Sequence, residues 1–210
     1  MNRPAPQFLG QPRTLVLRLP ASVRLRASPA VFREICCENP DLRLERAASG
    51  RLEILPPVGA ITSAANAQLS GRLGLWNRAT GRGAAFGSDL GCTLPNGAVR
   101  SPDASWFPLD QVRSLTPEQR ERFVPFAPTL AAEFRSPGER LAVPRRKMRE
   151  YRANGTSLGW LIDRVRRRVE IYRAGAPVQI LDRPRRLSGE HVLPGFVLDR
   201  ADILADDLNP

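Results

Sequence analysis

The 210-residue chain has a single lysine, Lys147, among 32 basic residues, a single histidine, His191, and three cysteines, Cys36, Cys37 and Cys92. Two of the cysteines are adjacent, and no Cys-x-x-Cys or Cys/His spacing is present, so they read as reduced structural thiols and not as zinc ligands. Long apolar runs are missing too. No uncharged stretch reaches the roughly 18 residues of a membrane span, and the amino-terminal segment, broken by prolines and arginines, lacks a signal-peptide core. A cytoplasmic protein with no membrane partner is the expectation. There is no Walker loop and no G-x-S-x-G elbow, and His191 has no second ligand in helical register.

What is present is ordinary in bulk. Apolar residues make up 42% and charged residues 25% of the chain, which excludes wholesale disorder. The length fits one domain. The net charge of +11 is uneven: residues 1–27 carry five arginines and no acid, residues 28–139 are neutral, residues 140–173 carry +8, and the remainder is slightly acidic. A basic footprint held in two segments suggests a polyanionic partner, nucleic acid before membrane, although a solvated basic face would look the same.

Along the chain, residues 1–27 read as a basic arm with one short strand, Thr14 to Leu19, and residues 28–210 as the folded domain. Ser28-Pro29 marks a helix start, running to about Glu38. Short strands follow near 42–46 and 51–55 around a Ser49-Gly50 turn. Ile61, Ala65, Leu69, Leu73 and Trp76 recur at helical spacing up to Gly81. A strand near 89–94, the turn Pro95-Asn96-Gly97 and a strand over 99–107 form a hairpin. Short helical pieces near 117–123, a buried strand over 129–134 and a helix over 144–153, closed by Asn154-Gly155, come next. Residues 158–162, apolar on both faces, predict a central strand, with 168–172 as its hairpin partner. The order describes a mixed α/β domain.

Three residues carry chemistry. Asp103 stands at the start of an apolar strand, where it fits either a turn acid or a ligand. Glu133 lies inside Leu130-Ala131-Ala132-Glu133-Phe134, and burying a carboxylate there is costly unless it is paired or binds a metal. Alternation puts Glu133 and Arg135 on one face and Leu130, Ala132 and Phe134 on the other, so a buried Glu–Arg pair is one reading. On its helix, with Lys147 at zero, Tyr151 falls near 40°, Pro144 near 60° and Met148 near 100°, at about 100° per residue. Arg145, Arg146, Arg149 and Arg152 fall on the opposite arc. Lys147 therefore faces the sheet, either because a compact, tunable charge is needed there or because its stem merely snorkels. Two carboxylates on neighbouring strands with an ammonium from the helix above them suit Mg²⁺ or Mn²⁺.

At these residues the sequence resembles a known family. Arg100-Ser101-Pro102-Asp103, Glu133-Phe134-Arg135-Ser136-Pro137, Lys147-Met148-Arg149-Glu150-Tyr151 with Asn154-Gly155, and Leu158-Gly159-Trp160-Leu161-Ile162-Asp163 look like the Uma-two family of restriction-endonuclease-like proteins, within the PD-(D/E)XK superfamily. The likeness covers about residues 28–205. It implies an α/β fold with a restriction-endonuclease-like core, a mixed central sheet flanked by helices, and metal-dependent hydrolysis of DNA. By position it implies Asp103 and Glu133 as metal ligands, with the Phe134 carbonyl as a third. Lys147 becomes the helix-borne catalytic lysine, and Glu45 an upstream acid beside metal or water. Arg135 stands where the superfamily usually carries its lysine, and with Arg145, Arg146 and Arg149 it is expected to hold phosphates. The family pattern differs at Arg164, where proline is common, and after Pro57, where many relatives have histidine. A homodimer follows by analogy with nucleases that cut both strands. A non-catalytic nucleic-acid-binding module on the same fold is the alternative, and a protein whose carboxylates only form ion pairs is a third.

Overall fold

Residues 25–199 are described in a computed structural model. Ser28 accepts a hydrogen bond from the Val31 N–H and Pro29 fills the first turn, so α1 runs Pro29–Glu38. β1 (Arg43–Arg46) and β2 (Leu52–Leu55) form an antiparallel hairpin. In its turn Gly50 has φ 84°, a conformation that favours glycine. α2 (Ala60–Thr80) buries Thr62, Ala65, Leu69 and Leu73 along one face and ends at Gly81 in the left-handed region. β3 (Gly83–Phe86), β4 (Cys92–Thr93), β5 (Val99–Arg100), β6 (Ala104–Pro108), α3 (Leu109–Ser114) and α4 (Pro117–Arg120) follow. Then come β7 (Leu130–Phe134), α5 (Ala142–Ala153), β8 (Leu158–Asp163), β9 (Arg168–Arg173), β10 (Gln179–Asp182), β11 (Arg186–Ser188) and β12 (Val197–Asp199).

The main sheet has six strands in the order β10-β9-β8-β7-β6-β3. It is mixed: β7 and β8 are parallel and joined through α5, while its other neighbours are antiparallel. A second sheet runs β2-β1-β5-β4, and β11 pairs with β12. α2 covers one face of the main sheet, packing Leu69 and Leu73 in a core with Trp106, Leu130, Phe134 and Trp160. α5 covers the other, with Met148 and Tyr151 among Phe107, Ala131, Leu161 and Tyr172. The expected mixed sheet flanked by helices is what forms. No helix among the described residues is long and apolar enough to cross a membrane.

Two local features seat α5. Gly159 of β8 faces it so closely that a Cβ there would stand 2.5 Å from Met148 Cε. At its end, Asn154 donates through Nδ2 to the Glu150 carbonyl at 2.8 Å and accepts the Asn96 N–H at 2.9 Å, which ties the helix to the β4–β5 turn.

One difference from the sequence reading matters for function. The single strand expected over 99–107 is two: β5 belongs to the small sheet, β6 to the large one, and Ser101-Pro102-Asp103 passes between them. Pro102 has no N–H for a ladder, so pairing breaks there. Asp103 thereby comes to lie where the chain changes sheets. β3, α3 and β10 to β12 were not expected from periodicity, and the strand anticipated over 89–94 shrinks to two residues. The predicted Thr14–Leu19 strand lies outside the described residues.

Candidate active site

β6 and β7 run antiparallel with Ala104 opposite Ala132, and continuing that register by one residue sets Asp103 opposite Glu133. Regular cross-strand neighbours have Cβ atoms about 4.5–5.5 Å apart, close enough for two carboxylates to share a ligand. α5, crossing from β7 to β8, brings Lys147 to the same place. Its Nζ lies 2.8 Å from Glu133 Oε1 and 2.9 Å from Glu45 Oε1, with the side chain 11% exposed. Asp103, Glu133 and Lys147 line one cleft of about 700 Å³.

Each carboxylate is held. Asp103 accepts the Phe134 N–H on Oδ2 at 2.8 Å and the Asn66 Nδ2 on Oδ1 at 3.1 Å. It is a buried group bridging β6, β7 and α2, not a turn acid. Glu133 accepts the Tyr151 hydroxyl at 3.0 Å on Oε1, the oxygen that also meets Lys147, and Oε2 takes neither contact. Its partner is Lys147, not the Arg135 of a Glu–Arg pair. Glu45, with 0% exposure, meets Lys147 Nζ and the Ser101 N–H with Oε1 and Arg100 Nη1 with Oε2. It lines the same cleft, where Lys147 links it to Glu133. Arg100 extends the network to Glu53 at 2.6 Å and Glu150 at 2.7 Å.

Two carboxylates thus meet one ammonium, and Asp103 acts on it through its charge. Burial pushes Glu133 up to about 7, a shift that Lys147 opposes and the charges of Asp103 and Glu45 reinforce. Burial also raises Asp103 against the pull of the Phe134 N–H and Lys147. Burial raises Glu45 as well, but Lys147 and Arg100 outweigh it and hold that carboxyl below its usual range. Lys147 would lose its proton to burial alone, but Glu133 and Glu45 hold it charged, well above the ordinary lysine value.

The arginines divide into two pairs. Arg135 donates to Asp163 at 2.9 Å and through Nε and Nη2 to the Glu139 carbonyl. Arg145 is clamped on Glu170, with Nε at 2.9 Å and Nη2 at 2.5 Å from Oε1. Arg146 and Arg149 are exposed on the outer face of α5, Arg146 lying 4.0 Å from Glu53. Asn66, Tyr151 and Arg100 are contacts that sequence reasoning did not assign. Tyr151 follows Lys147 by one helical turn, and Asn66 is a polar residue beside the apolar stripe of α2.

Among the described residues, no three His, Cys, Asp or Glu side chains gather into a ready-made metal cage. The two carboxylates still suit a hard divalent cation. They are oxygen donors on adjacent strands, buried and short of positive charge, and Mg²⁺ is commonly held by one or two carboxylates with water and substrate oxygens completing its shell.

The profile of the family described as "Uma2: Putative restriction endonuclease" matches residues 29–201. The chain belongs to the Uma2 family. This Uma2 chain is similar in structure to a protein from Anabaena variabilis described as a putative nuclease belonging to DUF820. The two are 20% identical with a TM-score of 0.66, over 77% of this chain and 89% of that one. At that identity the likeness establishes the fold, a mixed sheet between helices. No curated protein matches the Uma2 chain in sequence.

Proposed function

We propose that this Uma2 protein is a divalent-metal-dependent endonuclease that hydrolyses DNA phosphodiester bonds on a PD-(D/E)XK core. The observation that carries the reading is the meeting of Lys147 with Glu133, at 2.8 Å, in the cleft that Asp103 also lines. Asp103 and Glu133 hold Mg²⁺ or Mn²⁺, with the Phe134 carbonyl as a third donor. When bound, the cation supplies an activated water at neutral pH and offsets charge on the phosphoryl oxygens.

The chain's own residues do the rest. Lys147, kept protonated by its carboxylate neighbours, faces the negative charge that builds on the reacting phosphate. Glu45 is a positioning residue: gripped by Arg100 and the Ser101 N–H, it fixes where the Lys147 ammonium sits. The Tyr151 hydroxyl orients Glu133, leaving its second oxygen for the cation. Arg146 and Arg149 meet backbone phosphates, which orients DNA without reading its sequence. Arg135 and Arg145, engaged with carboxylates of the chain, meet phosphate only by exchanging partners. A homodimer would pair two such clefts for cutting both strands.

Supercoiled plasmid is the substrate that tests this. Wild type is expected to nick it with Mg²⁺ or Mn²⁺ and not with EDTA, and Asp103→Ala to be inactive in all three. Equal nicking by Asp103→Ala, or none by wild type with any metal, contradicts the proposal. Salt-sensitive DNA binding in a wild type that never nicks would mark the non-catalytic module instead.

A further inference from the structure

Asn66 stands behind the cleft, holding Asp103 from the α2 side. It lies on the α2 face that otherwise buries Thr62, Ala65, Leu69 and Leu73 against the sheet, and asparagine has modest helix propensity. Its amide is oriented by chemistry: Nδ2 donates to Asp103 Oδ1 at 3.1 Å, and the reverse orientation would point one oxygen at another. That leaves Asn66 Oδ1 buried with no hydrogen-bond partner and no surface that water can touch. A buried acceptor left unpaired is costly, so such an atom calls for a reason. The Phe134 N–H is engaged with Asp103, and Lys147 Nζ with Glu133 and Glu45, so neither of these donors serves it.

We infer that Asn66 Oδ1 is a direct ligand of the divalent cation held by Asp103 and Glu133. The inference rests on the metal-dependent reading above and deepens it. An amide oxygen is a hard donor that Mg²⁺ and Mn²⁺ accept, and a cation ligates at about 2.1 Å, closer than a water can stand. Being neutral, it adds a donor where a third carboxylate beside Asp103 and Glu133 would add repulsion to a site already short of positive charge. Asn66 then has two functions on one amide, anchoring Asp103 with its nitrogen and binding the ion with its oxygen.

The test is Mn²⁺ titration of the EDTA-stripped full chain by calorimetry at pH 8, for wild type, Asn66→Ala and Asn66→Asp, with circular dichroism as the check on folding. Asn66→Ala is expected to weaken Mn²⁺ binding about 10-fold or more, whereas Asn66→Asp, which keeps an oxygen there but loses the donor to Asp103, weakens it clearly less than Asn66→Ala does. Asn66→Ala within twofold of wild type overturns the assignment. So does Asn66→Asp falling as far as Asn66→Ala, since Asn66 would then serve only Asp103. Absence of Mn²⁺ binding by wild type overturns the metal reading itself, a distinct result. Should the alanine variant not fold, anomalous diffraction from Mn²⁺-soaked wild-type crystals decides it: manganese within ligating distance of Asn66 Oδ1 is the expected result, and manganese on Asp103 and Glu133 away from it overturns the ligand role.

Discussion

Glu133 combines the opposing demands of the site in one side chain. Burial pushes it up to about 7, while its carboxyl in the unfolded chain titrates near 4.5. Between those values the folded state holds a proton that the unfolded state has released. This contribution to stability is fully present below about pH 4.5 and is lost as pH rises through about 7. Melting of the EDTA-treated protein is therefore expected to show a larger fall in Tm from about pH 5.5 to 8 in wild type than in Glu133→Gln. Mn²⁺ acts in the opposite sense, since ligation needs the deprotonated acid, so it should raise Tm more at pH 8 than at pH 6. Equal pH slopes in the two proteins would show that Glu133 is not strained by burial. Part of this was legible in the sequence. A carboxylate inside Leu130–Phe134 and a lone lysine at zero degrees of an apolar arc are local facts, and α5 buries Pro144, Met148 and Tyr151 around Lys147 as the angles require. Asn66 lies 37 residues from Asp103, and no local pattern could pair them.

At the level of elements, α5 is the part whose placement decides everything else, because it carries Lys147 between two strands that hold or flank the acids. Asn154 caps it and pins it to the β4–β5 turn through the Asn96 N–H, while Glu150 reaches Asn96 Nδ2 at 3.0 Å and Arg100 Nε at 2.7 Å. Asn154→Ala is expected to cost about 1 kcal/mol, a fall of about 2–4 °C in a domain of this size, read by thermal melting. An unchanged Tm would mean that the cap and turn contacts contribute nothing. The elements legible in advance were those with a strong local signal: the capped α1, the periodic α2, the hairpin at Asn96-Gly97, and α5 ending at Asn154-Gly155. β3, with Gly83, Ala84 and Ala85, has no alternation to read, and its strand state comes from pairing with β6. The break between β5 and β6 is likewise a tertiary choice, made at Pro102 because each half finds a different sheet.

At the scale of the whole molecule, the arginines of the described residues include exposed and internally paired ones. Arg135 and Arg145 neutralise the chain's own acids, whereas Arg149 and Arg146, the latter 4.0 Å from Glu53, are exposed on α5 away from its buried face. Each phosphate contact releases about one counterion, so Arg146→Ala with Arg149→Ala should reduce the slope of log K against log salt by about 2 and weaken binding to unrelated DNA sequences alike, as read by fluorescence anisotropy. An unchanged slope would exclude that face from the DNA path. The central claim is that a lysine carried on α5 serves the reaction at the Asp103–Glu133 pair. The direct measurement is single-turnover nicking of supercoiled plasmid with Mn²⁺ by Lys147→Ala beside wild type, with DNA affinity measured on the same preparations in Ca²⁺. A drop in nicking rate of about 100-fold or more with affinity within a few-fold is the expected result. Nicking by Lys147→Ala at the wild-type rate would contradict it.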